Sequence, residues 1–201
     1  MRFWVQKSLK NLVKFMKTEH ELAFALKTMM SEVPLDSISV TALTRRCHIN
    51  RKTFYYHFHD IFDLLTQVFL DEKMEGVETA KDINQLMKVI FTYYLDNQKF
   101  IDATLDSAGK ELVQEFFYNI CYTSLLRFIS TIPDGKKLHI NDRKYIARFY
   151  AFGYSNSIIY YLSTYKNKTY NGLMNCFNFQ GKNVLEDAIE NLIKARAKTH
   201  E

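Results

Sequence analysis

Residues 50–60 read "NRKTFYYHFHD", and the way these side chains divide decides the fold. Phe54 and Phe58 have the fourfold spacing that lets two rings share one helix face. Arg51, Lys52, Tyr55 and Tyr56 then point elsewhere, so the segment is expected to bury two phenylalanines and expose a cationic, aromatic side. Just upstream, "SVTALTRRC" (39–47) begins on Ser39, a favourable N-cap residue, and sets Val40, Leu43 and Cys47 on one face. "HIN" breaks the two segments apart. Two short helices joined by about three residues form a helix-turn-helix, whose second helix enters the major groove of DNA. On such a surface cations neutralise phosphates and reach guanine acceptors. Tyrosine hydroxyls bond phosphates, and their rings touch thymine methyls.

The flanking segments extend this unit. "TEHELAFALKTMM" (18–30) has a capping-box start at Thr18 and Glu21, then Leu22, Ala25, Leu26 and Met29 at helical spacing. Pro34 ends it. Asp60 is placed to cap "IFDLLTQVFLDEKMEG", whose Ile61, Leu64, Leu65, Val68 and Phe69 keep the same period. The stretch before Thr18, "MRFWVQKSLKNLVKF", carries cations and no acid; we treat residues 1–17 as a basic extension dispensable to the fold.

Composition agrees. The chain has 201 residues with only two prolines and six glycines, too few turn formers for many short strands. An all-α fold is expected. Residues 1–60 hold 10 Lys and Arg against 5 Asp and Glu, whereas residues 61–201 hold 17 of each. All of the net charge of +5 therefore lies in the first third, as in a polyanion-binding segment joined to a body with another task. No apolar run approaches the length of a membrane span. Cys47, Cys121 and Cys176 are far apart and odd in number, which suits reduced thiols in a cytoplasmic protein.

"ISVTALTRRCHINRKTFYYHFHDIFDLL" (38–65) resembles the DNA-binding domain of the TetR (tetracycline-repressor) family of bacterial regulators. The string "TFYYHF" (53–58) carries most of the likeness, which spans about residues 18–69. Carried onto these residues, the resemblance implies that Ser39 caps the first short helix and bonds a phosphate, and that Thr41 lies near DNA. It implies that Arg51, Lys52 and Thr53 approach bases or phosphates, and that Tyr55 and His57 hold phosphates; Tyr56 joins them on the outer side by helical geometry. Where the family has Ala-Gly before the turn, this chain has Cys47-His48, so a side-chain-bearing residue must occupy glycine's place. "CHINRKTFYYHF" also resembles the subgroup containing the dihydroxyacetone-kinase operon regulator.

Residues 70–201 read as helices: 82–105 (one or two), 109–131, 141–165 and 184–198, with "PDG" (133–135) as a turn and 171–183 as a loop or short helix. The resemblance implies a regulatory domain that dimerises through its last two long helices. Small residues at fourfold spacing on the first of these, and the apolar stripe of the last, nominate Ala151, Ser155, Ile158, Leu185, Ile189 and Leu192 for the interface. Tyr93, Tyr94, Phe117, Tyr118, Tyr122 and Phe149 are candidates for an effector pocket, although aromatic residues at this spacing also describe ordinary core. No cofactor is expected. Carboxylates are dispersed, and no phosphate-cradling glycine loop, redox cysteine pair or metal-ligand spacing occurs, so neither a catalytic nor a metal site is expected.

The expected function is a homodimeric, sequence-specific regulator of transcription, with repression the favoured sign. Its partners would be double-stranded DNA, a second copy and a small-molecule or protein effector, with no membrane. The alternative is a helical co-regulator that binds a protein or ligand with little operator specificity of its own.

Overall fold

The computed structural model describes residues 2–178 and 183–199, with side chains over 16–178 and 183–197. Among these residues every regular element is helical. The order is α1 (Arg2–Met30), a 3-10 turn (Leu35–Ser37), α2 (Val40–Arg46), α3 (Arg51–His57), α4 (Ile61–Asp71), α5 (Ile83–Asp96), α6 (Gln98–Leu105), α7 (Lys110–Ile129), α8 (Pro133–Lys137), α9 (Ile140–Thr164), α10 (Tyr170–Asn175) and α11 (Val184–Thr199). No helix of the described residues is long and apolar enough to cross a membrane.

The chain divides into two compact units. The first takes residues 1–72 together with 97–113; the second takes 73–96 and 114–201.

In the first unit α1 packs on α2, α4 and α6, and α2 packs on α3. Its core joins Leu22 and Leu26 of α1, Leu43 of α2, Phe54 of α3, Leu64 and Leu65 of α4, and Phe100 and Ile101 of α6, each at most 1% exposed. Phe69 stacks on Phe100 with ring centroids 5.3 Å apart, and the Lys27 ammonium lies 5.2 Å above the Phe100 ring. The same ammonium donates to both carboxylate oxygens of Glu72, at 2.8 and 2.9 Å. Each short helix begins on a capping side chain. Ser39 Oγ accepts from Ala42 N–H at 3.1 Å, Asn50 Oδ1 from Thr53 N–H at 2.8 Å, and Asp60 Oδ1 from Asp63 N–H at 2.8 Å. These bonds satisfy first-turn donors that no helix can pair internally.

In the second unit the core runs through Leu86, Met87, Ile90 and Tyr94 of α5, Phe117, Cys121 and Leu125 of α7, Ala147, Ala151, Tyr154 and Ile158 of α9, and Ile189 of α11. The Arg127 guanidinium donates to the carbonyls of Ala80 (2.6 Å) and Val77 (2.7 Å), fixing the segment before α5 to α7. The Tyr161 hydroxyl accepts from Thr169 N–H at 2.8 Å and donates to its carbonyl at 3.0 Å, closing the connection into α10. Arg196 of α11 pairs with Asp142, whose side chain is 10% exposed.

Two local expectations need correction. Thr18 and Glu21 were read as a helix start, but α1 runs through them. Nothing in residues 2–17 is a proline or glycine, and inside a continuing helix there is no orphan N–H for a cap to serve. The "PDG" turn is instead the start of α8, with Pro133 in its first turn. Proline suits that place because the N–H it lacks would be unpaired there anyway.

Phe58, 5% exposed, closes the base of the first unit beside Phe54, their centroids 5.9 Å apart. Replacing it with alanine is expected to cost about 3–5 kcal/mol. Urea unfolding followed by circular dichroism measures this; a loss under 1 kcal/mol would mean the ring is not part of the core.

Candidate nucleic-acid interface

The turn between α2 and α3 sets the interface. Here the chain must reverse within three residues, and His48 does so in the left-handed region at φ +54°. Its N–H bonds to the Arg45 carbonyl at 3.2 Å, and the Ile49 N–H bonds to the Thr44 carbonyl at 3.0 Å. This is the paired hydrogen-bond pattern that normally ends on glycine. The departure noted in the sequence is thus realised: a histidine occupies glycine's conformation at a cost of about 1–2 kcal/mol.

From there α3 runs for seven residues, capped by Asn50, whose Oδ1 also accepts from the Thr53 hydroxyl at 3.1 Å. Phe54 is 0% exposed, whereas Tyr55 is 51% and Tyr56 77% exposed. Arg51 and Lys52 are exposed as well. The Arg51 guanidinium donates to the Tyr55 hydroxyl at 3.3 Å and lies 5.8 Å from its ring centre. That contact, one helical turn long, places the cation and the phenol side by side. Lys52, Thr53, Tyr55 and Tyr56 with Asn50 line an open concavity of about 480 Å³. Ser39 and Thr41 are exposed on the first turn of α2. Arg46 is committed elsewhere: it holds both oxygens of Glu32, at 2.8 and 2.9 Å, and so draws that carboxyl below its usual range.

His57 stands apart from the other seven residues. It was expected to face DNA, but its side chain is only 4% exposed, and its Nδ1 lies 3.4 Å from Glu19 Oε1 on α1. Position 57 falls between the inner row of 54 and 58 and the outer side, and packing draws the ring inward. Sequence reading missed Asn50 and Glu19. Asn50 had a signal, an N-cap residue directly before a helix; Glu19 had none.

The candidates of the second unit are scattered. Tyr93, Tyr94 and Phe117 are buried core residues. Tyr118 and Tyr122 are half-buried, stacked 6.0 Å apart, and Phe149 is 70% exposed. None lines the cavity of about 300 Å³ in this unit, whose lining includes Phe128, Tyr154, Phe177 and Leu185 together with Lys81, Asp82 and Glu186. Ala151, Ser155, Ile158, Leu185 and Ile189 are turned into the subunit's own core, each at most 5% exposed, and Leu192 is half-buried. The outer side of α9 instead carries Tyr145, Phe149, Phe152 and Tyr160, which are 54–71% exposed. Among the described residues no group of three or more His, Cys, Asp or Glu side chains is placed to hold a metal ion.

Residues 81–179 match the model of a TetR-type transcriptional regulator C-terminal region. A solved structure named as a dihydroxyacetone kinase operon activator, DhaS, is similar with a TM-score of 0.59 and 21% identity over 86% of this chain and 96% of that one. At that identity the likeness is one of fold. No curated protein matches significantly.

Because His48 bears the strain of the turn, His48→Gly should stabilise the first unit by about 1 kcal/mol. Urea titration checks it; destabilisation would show that the imidazole makes a compensating contact.

Proposed function

We propose that the chain is a transcriptional regulator of the TetR type and that it acts as a homodimer on an operator read by α3, in the cytoplasm. The observation that carries the reading is the division of α3 into two faces. Phe54 is fully buried, while Arg51, Lys52, Tyr55 and Tyr56 are exposed. In this reading Lys52 and Tyr56 neutralise or bond phosphates, the Arg51–Tyr55 pair reaches base edges, and Ser39 and Thr41 hold the backbone beside them. A protein of this kind is a regulator rather than an enzyme.

One helix of seven residues reads few bases, so two copies placing their α3 helices about 34–36 Å apart are needed for useful specificity. The outer row of α9 supports such pairing. Tyr145, Phe149, Phe152, Asn156 and Tyr160 follow one helix face, and Gly153 lies among them. A Cβ on Gly153 would meet nothing within 4 Å, so the subunit itself gives no reason for a residue that costs a helix interior about 1 kcal/mol. Close approach of a second helix supplies one.

The cavity bounded by Phe128, Tyr154, Phe177 and Leu185 is the best candidate effector site in this unit. Its lining mixes apolar residues with Lys81, Asp82, Asn84, Asn178 and Glu186, and its volume of about 300 Å³ sits at the lower end for small-molecule sites. A small ligand carrying both polar and apolar groups suits it.

Occupying a promoter blocks transcription, so repression is the direct outcome of tight operator binding. The name of the similar structure, an operon activator, favours the opposite sign as a second reading. In vitro transcription from the bound promoter separates the two.

Affinity for the operator should fall steeply from 50 to 200 mM salt, because each neutralised phosphate releases counterions. Lys52→Ala should weaken all sequences alike and lower the salt slope by about 1. Arg51→Ala should cost about 1–3 kcal/mol and relax preference at one base pair. Fluorescence anisotropy with an operator panel reads all three; a flat salt response points to the co-regulator alternative.

Phe149→Glu should yield a folded monomer that binds operator weakly. If light scattering still reports a dimer, copies pair through another face.

A further inference from the structure

The resemblance gives His57 to a phosphate, but its surroundings assign it another task. The residue is the last of α3, and its ring is buried between α3 and α1. It meets Tyr56 edge-on at 5.5 Å and Phe58 at 6.1 Å. Its Nδ1 faces the Glu19 carboxylate, which is itself 28% exposed. A side chain so enclosed has little surface left for a phosphate oxygen. A carboxylate beside it would also repel one.

The need for such a contact follows from the size of α3. A seven-residue helix spans only about 10 Å and does not hold its orientation alone. The Asn50 cap fixes its start and Phe54 anchors its middle. Phe58 is buried just past the last residue, and the far end, between the two rings, carries Tyr55 and Tyr56 on its exposed side. Between that end and α1, Glu19 and His57 form a polar contact.

We propose that Glu19 is a positioning residue for operator binding: through His57 it fixes the C-terminal end of α3 against α1, and His57 serves this tether instead of touching DNA. The proposal rests on the reading of α3 as the DNA-contacting helix.

Its test exploits a difference in sign. Removing an acidic residue near a DNA-binding surface strengthens binding if charge alone matters. Losing a tether weakens it. Glu19→Ala should therefore lower operator affinity about tenfold, the size of a hydrogen bond involving a charged group. Affinity for non-specific DNA should change little, and the salt slope should stay as in the wild type, because no phosphate contact is lost. His57→Gln should show the same pattern, and the double variant should be no worse than either single one, as partners in one contact require. Glu19→Gln removes the charge but keeps an acceptor, so it should bind within about threefold of wild type. It also serves as the decisive variant if Glu19→Ala melts below the assay temperature.

The proposal is overturned if Glu19→Ala binds operator as well as or better than wild type, or if Glu19→Gln loses as much as alanine. It is also overturned if His57→Gln lowers the salt slope by about 1, the mark of a phosphate contact. A wild-type protein whose promoter binding is insensitive to salt is a separate outcome; it removes the DNA reading itself, and the positioning role with it.

Discussion

Burial of the Phe54 ring is the constraint on which the rest of the first unit depends. It lies at the centre of a helix of seven residues and is fully enclosed. Isolated helices of this length do not persist in water, so α3 exists because its middle is fastened to the core beside Leu43 and Leu64. Once that ring is placed, helical geometry dictates what the other side carries. The outward set is thus a consequence of the inward one, and neither can be altered without the other being felt.

The second constraint is the turn that feeds α3. His48 holds a left-handed backbone at φ +54°, and the two hydrogen bonds around it end α2 where it must end. Strain of this kind persists only where the surroundings over-determine the conformation. Here they do: the N-caps of α2 and α3 and the Arg46–Glu32 pair hold both sides of the turn.

How much of this could be read from the sequence follows from what kind of force set each part. The two short helices, the Ser39 cap and the inner pair Phe54 and Phe58 were legible because local rules and burial agree there. Thr18 misled because a capping box is only a local option, overridden when the preceding residues continue the helix. Ala151 and Ser155 were legible as small but not as inward, since periodicity does not say which surface a small residue faces. Tyr94 and Phe117 were indistinguishable from pocket residues because periodicity reports burial and says nothing of what lies across the gap. Glu19 was invisible, being an ordinary acid 38 positions from its partner. The cavity in the second unit draws its walls from separate segments, and no single stretch announces it.

The first unit is not contiguous in the chain. Residues 97–113 complete it after the chain has spent residues 73–96 on the other unit. A ribosome adding roughly 5–20 residues per second needs about 2–8 s to make the residues from Lys73 to Val113. For the part of that interval before residue 100 is made, Phe69 has no Phe100 to stack on, and Lys27 has no ring beneath it. The nascent DNA-binding segment therefore emerges with an open apolar seam on α1 and α4, and the same seam would be exposed in any fragment cut at residue 72. Cellular yield should thus respond to elongation rate and to chaperones that cover short apolar surfaces.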